Sequence, residues 1–268
     1  SKIPFYISGA GLLLNIILDP LFIFGFGLET NGAAYATWIS QATVFSIFIY
    51  QLRFRKDSLL GGFPFFTQLK KRYTRRILKL GLPVATLNTL FAFVNMFLCR
   101  TASEQGGHIG LMTFTTGGQI EAITWNTSQG FSTALSAFIA QNYGARKKDR
   151  IRKGYSLSFR VLTIWGLFVT AAFVFLPEPI ARLFFHEKEA LDTAVNYLVI
   201  IGFSEVFMSI ELMTVGALSG LGRTRLSSTI SVILTGSRIP LALILTHAGM
   251  GLNGVWWALT ISSIVKGI

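Results

Sequence analysis

Residues 4–25 read PFYISGAGLLLNIILDPLFIFG, twenty-two positions with one charge, Asp19. A helix needs about 20 apolar residues to cross about 30 Å of hydrocarbon. This stretch is long enough to span a bilayer. Seven further runs follow, at about 31–52, 77–100, 110–142, 155–176, 190–220, 226–246 and 252–268. The expected fold is all-α and polytopic, with eight transmembrane helices in this chain. The fourth and sixth runs exceed the length a crossing needs. A break is expected at Gly130 in the fourth, and at Gly216 or Gly220 in the sixth.

Composition and charge agree with a lipid setting. Of 268 residues 51% are apolar and 13% charged, against about a quarter charged in soluble chains. The excess of 24 bases over 12 acids would suggest nucleic acid in a soluble protein. Here the bases collect on alternate loops. One holds Arg53, Arg55, Lys56, Lys70, Lys71, Arg72, Arg75, Arg76 and Lys79. The next of its set holds Arg146, Lys147, Lys148, Arg150, Arg152 and Lys153, and the third Arg223 and Arg225. The loops between hold few bases, Arg100 at one helix end, then Arg182 and Lys188, with Glu29, Glu104, Glu178, Glu187, Glu189 and Asp192 beside them. This alternation is the positive-inside pattern, so the basic loops and both visible ends are expected on the cytoplasmic face of the cell membrane. No nucleic-acid partner is expected. Within the loop at 53–76, Phe63 to Tyr73 forms an amphipathic stretch suited to the membrane surface. Cys99, the single cysteine, reads as packing in an apolar helix. His108, His186 and His247 are too scattered for a metal site. No GxxxxGK[ST] phosphate loop is present, and no enzyme or cofactor is expected; active transport would draw on an ion gradient.

An internal repeat lies about 220 residues apart. Asp19-Pro20-Leu21 followed by Gly32-Ala33-Ala34-Tyr35-Ala36-Thr37 matches Ile239-Pro240-Leu241 followed by Gly254-Val255-Trp256-Trp257-Ala258-Leu259. Two homologous lobes of six helices would produce it. This chain would hold the last two helices of one lobe (1–52), a linker (53–76) and the six helices of the other (77–268), out of twelve in all. Both ends read as truncations.

Asn15 and Asp19 are four apart and share a helix face. Pro20 has no N–H to give the Ile16 carbonyl. Amide oxygen, carboxylate and freed carbonyl form a hard-oxygen cluster suited to Na⁺ or a bound proton, and Thr37 can add a hydroxyl. The alternative is that Asp19 only hydrogen-bonds a neighbouring helix or sits near the outer interface. Glu121, Thr124, Trp125, Ser128, Gln129 and Ser132 follow one another at helical spacing, facing either a water-filled cavity or a partner helix. Glu205, Glu211 and Arg238 are further charges inside helices; Arg238 is the only base read as deep in one. A Glu211–Arg238 ion pair and a transport role are both open.

Four stretches, in order, resemble the MATE (multidrug and toxic compound extrusion) family. They are Asn15 to Pro20 with Gly32 to Thr37, Leu80-Gly81-Leu82-Pro83, Gln129 to Ser132 through Gln141 to Arg146, and Gly216 to Arg225. The resemblance implies twelve helices in two pseudo-symmetric lobes around a V-shaped cleft. It implies a monomer that exports organic, often cationic, compounds in exchange for H⁺ or Na⁺. The family's N-lobe cation site matches Asn15, Asp19 and Thr37. Its further carboxylate, on the family's first helix, has no counterpart in this chain. Substrate contacts or proton exchange would fall to Glu121, Trp125, Gln129, Glu211 and Arg238. A lipid-linked sugar flippase of the same superfamily would favour more bases in the cleft. A non-transporting receptor or scaffold would need neither buried acids nor a repeat.

Overall fold

The computed structural model describes residues 2–54 and 71–268; most of the amphipathic stretch Phe63–Tyr73, and the Arg55, Lys56 and Lys70 charges, lie outside them. The chain divides into two compact units, Ser1–Thr74 and Arg75–Ile268. Every described element is helical.

The first unit pairs α1 (Lys2–Pro20) with α2 (Glu29–Phe54). Beyond Pro20, α1 continues as a π turn, Leu21–Gly25, the widening expected where proline interrupts the i→i−4 ladder. Gly27, at φ 64°, then reverses the chain.

In the second unit α3 (Lys71–Gly144) is broken at Gly107, φ 57° and ψ −143°. Phe91 and Asn95 line one cavity with Gln119 and Ala122. Residues 27 apart on a straight helix would lie about 40 Å apart, so α3 is a hairpin with arms 71–106 and 108–144. The first arm therefore runs further than 77–100. The second arm has no break at Gly130, whose dihedrals are helical. Four more segments follow: α4 (Lys148–Phe175), the short α5 (Pro177–Arg182), α6 (Lys188–Gly202) with α7 (Glu205–Gly220), and α8 (Thr224–Gly236) with α9 (Arg238–Leu245). The last extends through a π turn, Thr246–Met250, and α10 (Leu252–Gly267) closes the chain.

Among the described residues Ile3–Gly25, Lys148–Phe175 and Ser227–Met250 are each long and apolar enough to cross a membrane; α6 and α7, bent by 49° at their junction, pass the same test only when taken together. α4 shows how they are used. Its buried residues, Leu162, Gly166, Val169 and Phe173, recur every three or four positions and form one packed seam. Ile164, Leu167, Phe168 and Phe175 stand 54–80% exposed on its other faces. So much exposed apolar surface is stable only against lipid. The core of the unit gathers Val94, Leu98, Phe173, Phe185, Tyr197, Ile201 and Trp256.

The sixth span bends at Phe203-Ser204, not at Gly216 or Gly220. Within a bilayer, freed carbonyls must find donors, and here they do. Thr260 donates to Ile200 O (2.9 Å), Ser204 to Ile201 O (2.8 Å) and Thr170 to Gly202 O (2.8 Å). Gly216 and Gly220 are helical close-approach positions instead. Added Cβ atoms would meet the main-chain oxygens of Ser132 and Ser136 at 2.5 and 2.6 Å.

The repeat has a structural counterpart. A Cβ on Gly32 would lie 2.7–2.9 Å from the Phe22–Ile23 backbone, and one on Gly254 2.8 Å from the Leu245–Thr246 backbone. In both copies a glycine near the start of the next helix presses on or beside the π turn that ends a Pro-containing helix.

Candidate functional site

In the first unit, Asn15 Nδ2 donates to Asp19 Oδ1 at 3.4 Å across one turn of α1. That bond leaves the Asn15 carbonyl oxygen free to accept. Asn15 and Thr37 line one cavity of about 290 Å³ with Ser8, Gly11, Ser40 and Gln41. Asp19, half-buried, lies one turn along α1 from Asn15. Asn15 thus bonds Asp19 and shares a cavity with Thr37, while Asp19 is not part of that cavity's lining. Their donor set of amide, carboxylate and hydroxyl oxygens suits a hard cation or a proton. Among the described residues no group of three or more His, Cys, Asp or Glu forms a metal centre.

The second unit holds a larger cavity, about 440 Å³. Glu121 and Trp125 enter it from the second arm of α3, Asn95 from the first, Tyr197 from α6, Arg238 from α9 and Ser263 from α10. Tyr197 donates its hydroxyl to Glu121 Oε2 at 3.3 Å. Trp256, fully buried, holds the Tyr197 ring edge-on at 4.9 Å and stacks on Phe114 at 6.0 Å.

The polar stripe of the fourth span serves two purposes. Glu121 and Trp125 face the cavity, whereas Thr124, Ser128 and Ser132 are buried. Ser128 Oγ lies 3.1 Å from Ser209 Oγ, and Ser132 Oγ donates to Leu212 O at 2.6 Å, so this row joins α3 to α7. Gln129 is exposed and lies outside the cavity lining.

The Glu211–Arg238 ion pair, one of the two readings open in the sequence, is not formed. Glu211 meets Lys266 Nζ at 3.8 Å and accepts from Ser231 at 3.4 Å. Arg238 donates Nε to Ser262 Oγ and Nη2 to Ser263 Oγ, both at 3.0 Å. Nor is Arg238 the only deep base, since the Lys266 side chain is 6% exposed. A Cβ on Gly267 would lie 2.5 Å from Phe207 O. That close approach of α10 to α7, one turn before Glu211, brings Lys266 within reach of the acid.

Sequence reasoning passed over Asn95, Gln119 and Tyr197, which carried no signal distinguishing them from other helix residues. It noted Glu205 only as an intramembrane acid. The bend at Phe203-Ser204 sets Glu205 in the first turn of α7, fully buried; neither of its oxygens makes a hydrogen bond within 3.5 Å among the described residues, and the Thr124 hydroxyl is the neutral donor beside it.

Comparison with known proteins accords with this architecture. The MatE family model matches residues 83–244, more than half of the chain. The chain is 29% identical to the probable multidrug resistance protein NorM of Thermotoga maritima, over 96% of this chain and 56% of that protein. It is 26% identical to the FAD transporter of Shewanella oneidensis, over 100% of this chain and 60% of that protein. It superimposes on a MOP-superfamily transporter from Pyrococcus furiosus with a TM-score of 0.82 and 25% identity, covering 96% of this chain and 58% of that one. The chain therefore spans somewhat more than half the length of these relatives. The family model covers more than half of the chain and the matched fold agrees with it, so this chain belongs to the MatE family of multi-pass membrane proteins.

Proposed function

We propose that the protein containing this chain exports organic compounds across the cell membrane in exchange for H⁺ or Na⁺. The observation that carries the reading is the Asn15–Asp19 pair on α1, hydrogen-bonded at 3.4 Å beside the cavity that Thr37 also lines. A carboxylate within a membrane helix is costly and is kept where it pairs or works. Here its partner is a neutral amide, which leaves the charge for a mobile cation. Asp19 binds Na⁺, or a proton in its place, with the Asn15 and Thr37 oxygens completing the shell. The C-terminal cavity takes the organic substrate between Glu121, Trp125 and Arg238. Relatives named as multidrug resistance and multidrug export proteins, from Thermotoga maritima and Staphylococcus aureus, support the substrate class. The basic turns at 145–153 and 221–225 face the cytoplasm.

Everted membrane vesicles carrying the full-length protein test this. An imposed proton or Na⁺ gradient drives uptake of ethidium, and collapsing the gradient with an ionophore stops it. Dye movement that ignores both gradients refutes the proposal.

A further inference from the structure

One charge on α4 points away from the protein. Arg160 is the only charged residue between Lys153 and Glu178, and it is exposed. At about 100° per residue, Lys153, Arg160, Ile164 and Leu167 fall within about 60° of one another. The buried seam of Leu162, Gly166, Val169 and Phe173 lies on the opposite side of the helix. Ile164 and Leu167 are 68% and 54% exposed, so this stripe is the lipid-facing side of α4. The ion pairs among the described residues are Arg100–Glu104, Arg182–Glu178 and Glu211–Lys266. Arg160, Lys153 and Asp149, the acid one turn before Lys153, belong to none of them.

The length of α4 places both bases against the membrane. Its 28 residues make a rod about 42 Å long, against about 30 Å of hydrocarbon. The apolar run ends at Leu176, before Pro177 and Glu178, which sets one boundary of the crossing. Measured from Phe175, Arg160 stands about 22 Å along the axis and Lys153 about 33 Å. Arg160 therefore starts about 8 Å inside the other boundary, and Lys153 just outside it. Helix side chains lean toward the N-terminus, so the Arg160 guanidinium leans up into the layer where Lys153 stands. A long basic side chain in this position snorkels to the interface because its charge is costly in hydrocarbon.

We infer that Arg160 and Lys153 form a binding site for an anionic phospholipid, with the phosphodiester between guanidinium and ammonium and an acyl chain along Ile164, Leu167 and Phe168. The guanidinium fork matches two phosphate oxygens at once. The preceding turn adds Arg146, Lys147, Lys148, Arg150 and Arg152, a basic cluster beside a membrane helix that gathers anionic headgroups. A zwitterionic lipid presents the same phosphate, but its amine brings a further cation among these bases and its net charge offsets none of them. Neither Arg160 nor Lys153 lines the cavities described above, so the site lies on the outside of the bundle and stands independently of the export reading.

The test titrates the full-length protein, purified in a neutral detergent, with dioleoyl phosphatidylglycerol or with phosphatidylcholine of the same chains. Bound lipid is counted by native mass spectrometry. Each base close to an anionic headgroup changes affinity about fivefold, so phosphatidylglycerol is expected to bind about 25-fold more tightly than phosphatidylcholine. Arg160→Gln and Lys153→Gln should each lower that ratio about fivefold, and Arg160→Lys should keep part of what Arg160→Gln loses. Lys148→Gln removes the same charge from another face of α4 and should change the ratio by less than about twofold. The wild-type ratio decides the matter even where a variant fails to fold. Equal affinity for the two lipids overturns the inference. Equal losses from Lys148→Gln and Arg160→Gln also overturn it, since the attraction is then the diffuse field of the basic turn. Displacement of phosphatidylglycerol by millimolar glycerol phosphate overturns it as well, since the site then takes a soluble anion. None of these readings measures transport, so failure here and failure of the export proposal are distinguishable.

Discussion

Replacing Asp19 by Asn isolates the charge from the shape of the first-unit site. Asparagine keeps an oxygen where Asp19 Oδ1 accepts from Asn15 at 3.4 Å, so the link across the turn of α1 persists. A monovalent cation about 2.5 Å from a carboxylate oxygen gains about 7 kcal/mol at an effective dielectric of about 20. The amide returns part of this through its carbonyl dipole and escapes the desolvation cost of a carboxylate. A net loss of about 3 kcal/mol remains, which is a factor of about 100 in cation affinity. In proteoliposomes carrying the full-length protein, the cation concentration for half-maximal export should therefore rise about 100-fold. The melting temperature in detergent should change little, because no packing contact is removed. If half-maximal stimulation moves by less than about threefold, Asp19 is a structural hydrogen-bonding residue and the cation binds elsewhere.

Other expectations follow from the second unit. Glu205→Met removes a buried carboxyl held at most by the Thr124 hydroxyl and keeps its approximate volume, so thermal unfolding should shift upward while export falls, as where a costly buried group is kept for function; a lower melting temperature would mean that the Thr124 contact holds the carboxyl in place. Lys266→Met strands Glu211 and should cost about 3 kcal/mol or more, with Glu211→Gln added in the same chain recovering most of it; additive losses would show that the 3.8 Å pair contributes nothing. A cysteine placed at Arg146, in the turn after the α3 hairpin, should react with a membrane-impermeant maleimide from the cytoplasmic side only, and labelling from outside intact cells would invert the proposed topology.

The helical segments were legible in the sequence because lipid imposes a length and a composition that hydropathy alone reveals. Gly32 and Gly254 were legible as a repeat because each must lie bare against the π-turn backbone or the residue beside it. What depended on packing between distant helices was not. The bend at Phe203-Ser204 follows Gly202, one of several glycines in that run with nothing in the sequence to single it out; its carbonyls are satisfied by Thr170 and Thr260, more than 30 residues away on either side. Arg238 and Glu211 looked like partners because both are charged and intramembrane. The approach of Gly267 to Phe207 gives Glu211 to Lys266, and Ser262 and Ser263, about one turn earlier on α10, take Arg238. The polar stripe gave the period but not its division. Rows 121–125 and 124–128–132 are neighbours on one helix, and only the position of α7 separates a cavity wall from a helix joint.

The central claim is exchange of an organic compound for a cation, and reverse flux measures it most directly. Proteoliposomes containing the full-length protein are loaded with substrate and diluted into substrate-free buffer with no cation gradient. Outward movement of substrate should drive H⁺ or Na⁺ inward against equilibrium, read with an internal pH dye or radioactive sodium, and Asp19→Asn should remove that cation movement at concentrations that saturate the wild type, restoring it only at about 100-fold more cation. Substrate leaving the vesicles with no cation flux, or with cations moving out alongside it, would contradict the account.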